Sequence, residues 1–255
     1  MNHPAMDHAC MTHAQLHQLL AWCSPAYPTG AFSYSHGLEW AVESRLVHTR
    51  WDVIEYITAM LARGGGWVDA VLFAHAWRAA ASGASGDMTG PGDTWPEGGL
   101  ARLLDVAELA AAFRGSPETA LESRQQGSAF LEVTLRAWPH PRLSEFARAL
   151  AQVGDTRVTQ PVAMAAAAAV HGLPLLPALQ GFLHATASNL VSAAARLVPL
   201  GQSDAQVAVA KLCVVADHCA ARAVDTDLGN LGTCAPLLEV CSVRHETQYT
   251  RLFRS

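Results

Sequence analysis

Two short motifs come close to the signatures of hydrolytic enzymes. Residues 245–249 (HETQY) begin like the zinc-protease motif H-E-x-x-H, in which two histidines one helical turn apart bind the metal. Tyr249 stands at the position of the second histidine, so the pair of imidazole ligands is missing. Residues 201–205 (GQSDA) approach a nucleophile elbow, but no strand precedes them, and Ser203 is interpreted as a helix N-cap. We therefore expect no catalytic residue in either motif.

Histidine and cysteine side chains could bind a transition metal in two places, because imidazole and thiolate suit nickel, zinc and copper. The first group is His3, His8, Cys10, His13 and His17. We interpret residues 1–17 as a flexible His-bearing tail. The second group is Cys213, Asp217, His218 and Cys219. These lie on or near an apolar helix face and are interpreted as core residues. We expect neither a metal site nor a cofactor.

Three other strings have unusual compositions and match no catalytic signature. Residues 24–39 (SPAYPTGAFSYSHGLE) form a turn rich in proline and aromatic residues, and residues 196–202 (RLVPLGQ) mark a helix that stops and turns back. Residues 245–255 (HETQYTRLFRS) alternate arginine with apolar side chains. Arginine and aromatic residues are the side chains that most often anchor protein interfaces, so the last string suits contact with another protein.

The elements that must position these strings are predicted to be helices. Apolar residues from Val53 to Leu61 recur with helical spacing after a Thr49 N-cap, and glycines from Gly64 onward end the helix. Ser116, followed by proline, starts a second long helix. Period-two alternation is missing. The sequence therefore predicts an all-α, single-domain bundle of about ten helices.

The predicted organisation has two parts. The flexible tail covers residues 1–17, and one all-α domain covers residues 18–255. Within that domain we expect a partner-docking segment at about 235–255. Residues 82–99 are rich in Gly, Ser, Asp and Pro and are predicted to form a surface loop.

Charge excludes several classes of protein. Only 15% of the residues are charged, against roughly 25% in an ordinary soluble domain, so a self-association face or a protein partner is expected to cover part of the surface. The net charge of −5 argues against nucleic acid as a partner. Lys211 is the only lysine and does not follow a glycine, so the chain lacks a P-loop.

Cysteine usage and hydropathy favour a cytoplasmic protein that does not span a membrane. The six cysteines include no C-x-x-C pair, and the first residues lack the pattern of a secretory signal. Residues 158–195 contain no charged side chain and are long enough to cross a bilayer. They are rich in alanine and interrupted by prolines. We therefore predict two helices buried in the core or in an interface.

Taken together, the three strings resemble the UreF family of urease accessory proteins, and their order and spacing match that family from about Leu19 to Ser255. Residues 122–127 (ESRQQG) resemble a further family string in the central helix. Ala31 and Ala205 stand where the family commonly has glycine. The loop at 82–99 is longer than usual, and the first eighteen residues lie outside the resemblance.

The resemblance implies an all-α cytoplasmic chaperone, not an enzyme. Such a protein forms a homodimer, binds UreD (UreH in some organisms) and the GTPase UreG, and helps that assembly to insert nickel into apo-urease. An alternative is that the chain regulates GTP hydrolysis by UreG, for which one of its sixteen arginines could serve as an arginine finger.

The last string supplies the candidate partner-binding residues. They are Tyr249, Arg251, Leu252, Phe253 and Arg254. If the segment orders only on UreD or UreG, its deletion leaves the fold intact and abolishes partner binding. The alternative is that Leu252 and Phe253 fill a groove on their own monomer.

Overall fold

The computed structural model of the protein describes residues 11–81, 93–152 and 158–255. Within those ranges the chain forms eleven α-helices, two short 3-10 turns and no β-strand, which confirms the predicted all-α class. The described residues exclude most of the loop predicted at 82–99, together with His3, His8 and Cys10 of the predicted tail.

The helices pack as a single-domain bundle, as the sequence predicts. In chain order they are α1 (His13–Trp22), α2 (Leu38–Glu43), α3 (Arg50–Arg63), α4 (Gly65–Ala80), α5 (Gly99–Ala112), α6 (Pro117–Ala137), α7 (Pro141–Gln152), α8 (Gln160–Val170), α9 (Leu175–Leu197), α10 (Gln202–Val224) and α11 (Pro236–His245). The 3-10 turns are Ala31–Ser33 and Leu228–Asn230.

Local signals determine where the long helices begin and end. The Thr49 hydroxyl accepts a hydrogen bond from the Asp52 amide, and the Asp52 carboxylate accepts one from the Thr49 amide. This reciprocal cap starts α3, which ends at Gly64. Ser116 caps α6 with Pro117 at its first position. The predicted start of both helices and the predicted end of α3 are confirmed.

The alanine-rich helix α8 forms the centre of the core. Every residue from Pro161 to Val170 is buried, as the sequence predicts for this uncharged stretch. Short alanine side chains allow close approach, and α8 packs mainly against α4 and α6. Where α6 crosses the start of α8, Gly127 lies directly against the backbone of Val158 and Thr159.

Helices α9 and α10 form an antiparallel hairpin beside this core. Leu183 and Leu190 of α9 and Leu212 of α10 are buried, whereas His184 and Val214 are exposed. Burial of α9 in the core is thus confirmed for its inner face, and burial of its outer face in an interface stays a prediction. Helix α10 begins at Gln202, so the residue predicted as its N-cap lies inside the helix.

One stretch of the described chain, Arg50–Ala80, is long and apolar enough to cross a membrane by length and composition alone. It consists of α3 and α4, and 67% of its most apolar window is buried inside the fold. Burial of this extent is typical of helices in the core of a bundle.

The first helix corrects the predicted end of the tail. Helix α1 begins at His13, where Thr12 and Gln15 form a reciprocal cap. His13 and His17 are therefore helical and exposed. The boundary was predicted too late because the tail was assigned from its histidines, whereas Thr12 and Gln15 form a capping box that starts a helix.

An aromatic cluster joins α1, α6 and α8. Trp22 packs edge-on against Phe130, Trp138 and His171, with ring centroids 5.7, 6.0 and 5.8 Å away. Burial, together with the nearby positive charge of His140, lowers the pKa of His171 to about 4, against the opposing effect of its hydrogen bond to the Trp138 carbonyl. His171 is therefore neutral in the folded protein near neutral pH.

We expect the free energy of unfolding to fall as the pH is lowered from 6.5 to about 4. In that window the unfolded chain binds a proton at residue 171 that the folded chain does not, so acid favours unfolding. The substitution His171→Gln should flatten the pH dependence, as measured by urea unfolding across the window. His17→Gln, at an exposed histidine, is the control and should leave the slope unchanged. Equal slopes for wild type and His171→Gln would contradict the assignment.

Candidate functional site

The strings singled out in the sequence meet at one place in the fold, where the last residues of the chain lie against the turn before α2. The amide and the hydroxyl of Ser35 both donate to the carbonyl oxygen of Ser255, each at 2.6 Å. From the last turn of α9, Arg196 donates to the carbonyl oxygen of Phe32 at 2.8 Å. We call this contact the C-terminal junction; it comprises residues 245–255 with Ser35, Glu39, Glu118, Glu122 and Arg196.

Glu39 is the main acceptor of the junction. Its carboxylate accepts hydrogen bonds from the backbone amides of Leu252, at 2.6 Å, and Phe253, at 2.9 Å. The His245 imidazole lies 3.1 Å from the same carboxylate. Because Glu39 is buried, these three donors replace the water that an ionised carboxylate requires.

A glycine positions Glu39. Helix α2 starts after Gly37, whose φ of +75° is one that residues with side chains rarely adopt. A Cβ atom at Gly37 would lie 2.6 Å from the backbone nitrogen of Ser242. Only glycine therefore lets the start of α2 approach α11 closely enough for Glu39 to reach the last residues.

His245 connects two carboxylates inside the fold. Its Nδ1 lies 2.9 Å from Glu118 and its Nε2 lies 3.1 Å from Glu39. An ionised carboxylate can only accept, so both bonds form together when each ring nitrogen carries a proton. The Arg251 guanidinium also lies 2.5 Å from Glu118. Both nitrogens of His245 are thus engaged within the fold, whereas Tyr249 is fully exposed.

Glu122, from the string in α6, completes the buried part of the junction. It accepts hydrogen bonds from the Ser255 hydroxyl at 2.5 Å and from Gln126 at 2.8 Å. His36 lies 2.9 Å from it. Burial opposes protonation of His36, but the charge and hydrogen bond of Glu122, with the charge of Asp69, outweigh it and raise the His36 pKa.

A cavity of about 390 Å³ adjoins these residues. His36 and Glu122 line it, as do Asp69 and Arg114, which form an ion pair at 2.8 Å. The wall therefore carries an imidazole–carboxylate pair and an arginine–carboxylate ion pair among mostly apolar neighbours.

The candidate docking residues divide into two groups. Phe253 is buried, and the Arg196 guanidinium stacks on its ring at 4.3 Å. The alternative stated from the sequence, a groove on the same monomer, therefore holds for Phe253. It does not hold for Leu252, which is 63% exposed. The side chain of Arg254 is exposed, and its amide donates to the Ser33 carbonyl at 2.8 Å.

Exposed apolar side chains lie on helix α11 and on the segment that follows it. Helix α11 exposes Leu237, Val240 and Val243, spaced to share one side of the helix. Val240 and Tyr249 line the same shallow depression, together with Trp40 of α2. We call Leu237, Val240, Val243, Tyr249 and Leu252 the α11 surface. Apolar side chains grouped in this way are typical of protein contact sites.

The sequence analysis missed the carboxylates and the histidine that hold the segment. Glu39, Glu122 and His245 lie inside strings that were singled out, yet nothing in the local pattern indicates that they meet. The available signal is that Glu39 and Glu122 each follow a leucine in a chain with few charges, whereas His245 lies between Arg244 and Glu246 and gives no such signal.

The second group of candidate metal ligands is only partly a core group. Cys219 is buried, as predicted. Cys213 is half-buried, and Asp217 and His218 are exposed, so the core interpretation is wrong for these three. The error arises because all four residues were assumed to share the apolar face of their helix. In the structure, these three lie toward the solvent side of α10.

Comparison with known proteins gives consistent matches. A sequence model described as UreF matches residues 47–213. The urease accessory protein UreF of Granulibacter bethesdensis is 45% identical over 242 residues, which are 95% of this chain and 94% of that protein. The protein of the same name from Rhodopseudomonas palustris strain TIE-1 is 45% identical over 242 residues, covering 95% and 93%. That from Bradyrhizobium diazoefficiens is 40% identical over 251 residues, covering 98% and 96%.

Proposed function

Because the chain belongs to the UreF family of urease accessory proteins, we propose that it is a non-enzymatic assembly factor that bridges UreD (UreH) and the GTPase UreG for nickel insertion into apo-urease. We further propose that it acts in the cytoplasm as a homodimer. The observation that carries the bridging role is the α11 surface, since it places apolar side chains outward from a segment that the fold holds firmly.

The structure of the junction supports docking by a preformed element. Residues 251–255 are fixed by hydrogen bonds to Glu39, Glu122, Ser33 and Ser35. A segment already ordered in the free protein loses less conformational entropy when it binds. We propose that Tyr249, Leu252 and the Arg254 side chain contact the partner, while Phe253 and Arg251 hold the segment in place.

The bonding within the junction also supports a non-enzymatic role. His245, Glu39 and Glu122 are the groups there best suited to acid–base chemistry. Each is buried and bonded to another part of the chain. A general acid or base must reach a substrate proton, and these groups hold the segment instead.

We expect Leu252→Asp and Tyr249→Ala to weaken co-purification with UreD and UreG by at least about tenfold, because exposed apolar anchors supply much of the energy of such contacts. Neither side chain is buried, so the thermal midpoint should stay unchanged. Phe253→Ala should lower both binding and stability. Affinity is measured with the three proteins together, and the midpoint is measured on the chain alone.

The matched control is Leu20→Asp, at a leucine of α1 that is 59% exposed, against 63% for Leu252. It should leave partner affinity unchanged. Docking through the α11 surface is wrong if Leu252→Asp binds like wild type or if both leucine variants weaken binding equally.

The same three proteins separate bridging from the alternative, regulation of GTP hydrolysis by UreG. An arginine finger accelerates hydrolysis by about 10³- to 10⁵-fold. Single-turnover hydrolysis by UreG, measured with and without this chain, should change little if the chain only bridges. Acceleration of that size would favour the regulator.

A further inference from the structure

A line of polar side chains runs along the exposed side of the α9–α10 hairpin, apart from the C-terminal junction. The Nδ1 atom of His184 lies 3.4 Å from Sγ of Cys213. One helical turn away, Gln180 donates to Asp217 at 3.0 Å. We call Gln180, His184, Ser188, Cys213 and Asp217 the α9–α10 seam.

Helical spacing brings these residues together. His184 lies four residues after Gln180, and Asp217 lies four residues after Cys213, so each pair occupies one side of its helix. Because the helices are antiparallel, His184 faces Cys213 and, one turn along, Gln180 faces Asp217. The buried Leu183 and Leu212 beside them fix the two helices against the core, so the backbones of His184 and Cys213 are held side by side.

The separation of the two ligand atoms matches that required by a metal ion. With metal–sulfur and metal–nitrogen bonds of about 2.3 and 2.0 Å, a tetrahedral centre holds the two ligand atoms about 3.5 Å apart. A right-angled arrangement would bring them to about 3.0 Å. The observed 3.4 Å between Cys213 and His184, a hydrogen-bonded distance in this structure, is close to the tetrahedral value.

The other nitrogen of His184 is also placed as in a metal site. Its Nε2 lies 3.4 Å from the hydroxyl of Ser188, one turn further along α9. A proton on Nε2 that points at this hydroxyl leaves the lone pair on Nδ1, which faces the sulfur. Metal-binding histidines are commonly oriented by such a hydrogen bond from the second nitrogen.

We infer that Cys213 Sγ and His184 Nδ1 form an open site for a borderline divalent transition metal ion such as Ni²⁺, Co²⁺ or Zn²⁺. Binding replaces the thiol proton: the S–H bond breaks, a metal–sulfur bond forms and the proton passes to solvent. Water fills the remaining positions, because the described residues place no third His, Cys, Asp or Glu within reach of the pair. Thiolate with imidazole is the donor set that such ions prefer.

A nucleophilic cysteine is the other chemistry that a thiol–imidazole pair can support, and the seam is poorly built for it. Acyl transfer requires hydrogen-bond donors for the developing oxyanion. Cys213 and His184 lie in the middle of long helices, where the backbone amides are already bonded within the helix. No residue of the α11 surface belongs to the seam. The tests of the metal site and of the proposed docking are therefore independent of each other.

The test uses the full chain with Cys10→Ser and Cys234→Ser. These substitutions remove the thiol of residues 1–17 and an exposed thiol outside the seam. Burial raises the pKa of Cys23 to about 12 and raises those of Cys219 and Cys241, so these thiols ionise poorly. Titration with Co²⁺ should give a saturable sulfur-to-metal charge-transfer band. Added Ni²⁺ should displace Co²⁺ and abolish the cobalt charge-transfer band.

A further Cys213→Ser substitution should remove the band, and His184→Gln should weaken Co²⁺ binding by at least about tenfold. His218→Gln, at an exposed histidine of α10 outside the seam, is the matched control and should leave the titration unchanged. All three positions are at least partly exposed, so circular dichroism should show the helical fold in every variant. The site is overturned if no band forms, if the band survives Cys213→Ser, or if His184→Gln and His218→Gln titrate alike.

Discussion

We expect Gly127→Ala to lower the free energy of unfolding by about 3 kcal/mol or more. A Cβ atom at Gly127 would lie 2.1 Å from the carbonyl oxygen of Val158 and 2.6 Å from the carbonyl carbon of Thr159. Both contacts are with backbone, which cannot rotate away as a side chain can. The substitution must therefore push α6 away from the start of α8, the most deeply buried helix of the fold.

The direction of the stability change in Gly127→Ala shows whether α6 and α8 are in close contact. Alanine in a helix interior is ordinarily more stable than glycine by about 1 kcal/mol. The close crossing of α6 and α8 must outweigh that gain before any loss is seen. Urea unfolding followed by circular dichroism measures the difference directly.

Gly65→Ala is the matched control for this experiment. Gly65 also lies in a helix, at the start of α4, and nothing lies within 4 Å of a Cβ atom built there. Its substitution should leave stability unchanged or raise it. A Gly127→Ala protein as stable as wild type would show that the two helices are not held at the distance described.

The second large effect is expected at the buried carboxylate of the C-terminal junction. There, Glu39→Gln should lower the free energy of unfolding by about 3 kcal/mol. The carboxylate faces three donors: the amides of Leu252 and Phe253 and the ring of His245. A glutamine offers one accepting oxygen and turns its NH₂ group toward at least one N–H. That donor is left buried and unpaired, and His245 loses one of its two carboxylate partners.

Loss of this carboxylate should also free the end of the chain. Hydrogen exchange at the Leu252 and Phe253 amides should accelerate in Glu39→Gln more than exchange in α8, because the junction opens before the core does. Glu132→Gln is the control: Glu132 is exposed and pairs with Arg136 one turn along α6, a contact that contributes only about 0.3–0.5 kcal/mol. Equal losses for the two variants would contradict the role assigned to Glu39.

The sequence predicted most of the features that depend on neighbours along the chain, although it misplaced the start of α1 and the N-cap of α10. The Thr49 and Ser116 caps, the glycine stop after α3 and the uncharged stretch of α8 each act within one or two helical turns, and all are confirmed. The start of α1 was missed although its signal is equally local. Thr12 with Gln15 forms the same kind of cap, but the surrounding histidines favoured a different interpretation.

The candidate site was harder to predict because it is built from residues far apart in sequence. The partners of Glu39 lie 206, 213 and 214 residues away. Spacing along one helix or one turn gives no information about such pairs. The strings were recognisable by composition and resemblance, but whether Phe253 points into the fold or toward a partner depends on Arg196, at the end of a helix whose position only the whole bundle determines.

The separation of Glu39 from its donors also sets the order of events during protein synthesis. A ribosome that adds about 5 to 20 residues per second needs roughly 10 to 40 s to make the stretch between Glu39 and Phe253. Local backbone structure forms within about a microsecond, so the Glu39 carboxylate lacks its final donors throughout this interval. The turn before α2 can therefore reach its native structure only after the last of these residues has left the exit tunnel. Its maturation is a late step, however early its residues are made.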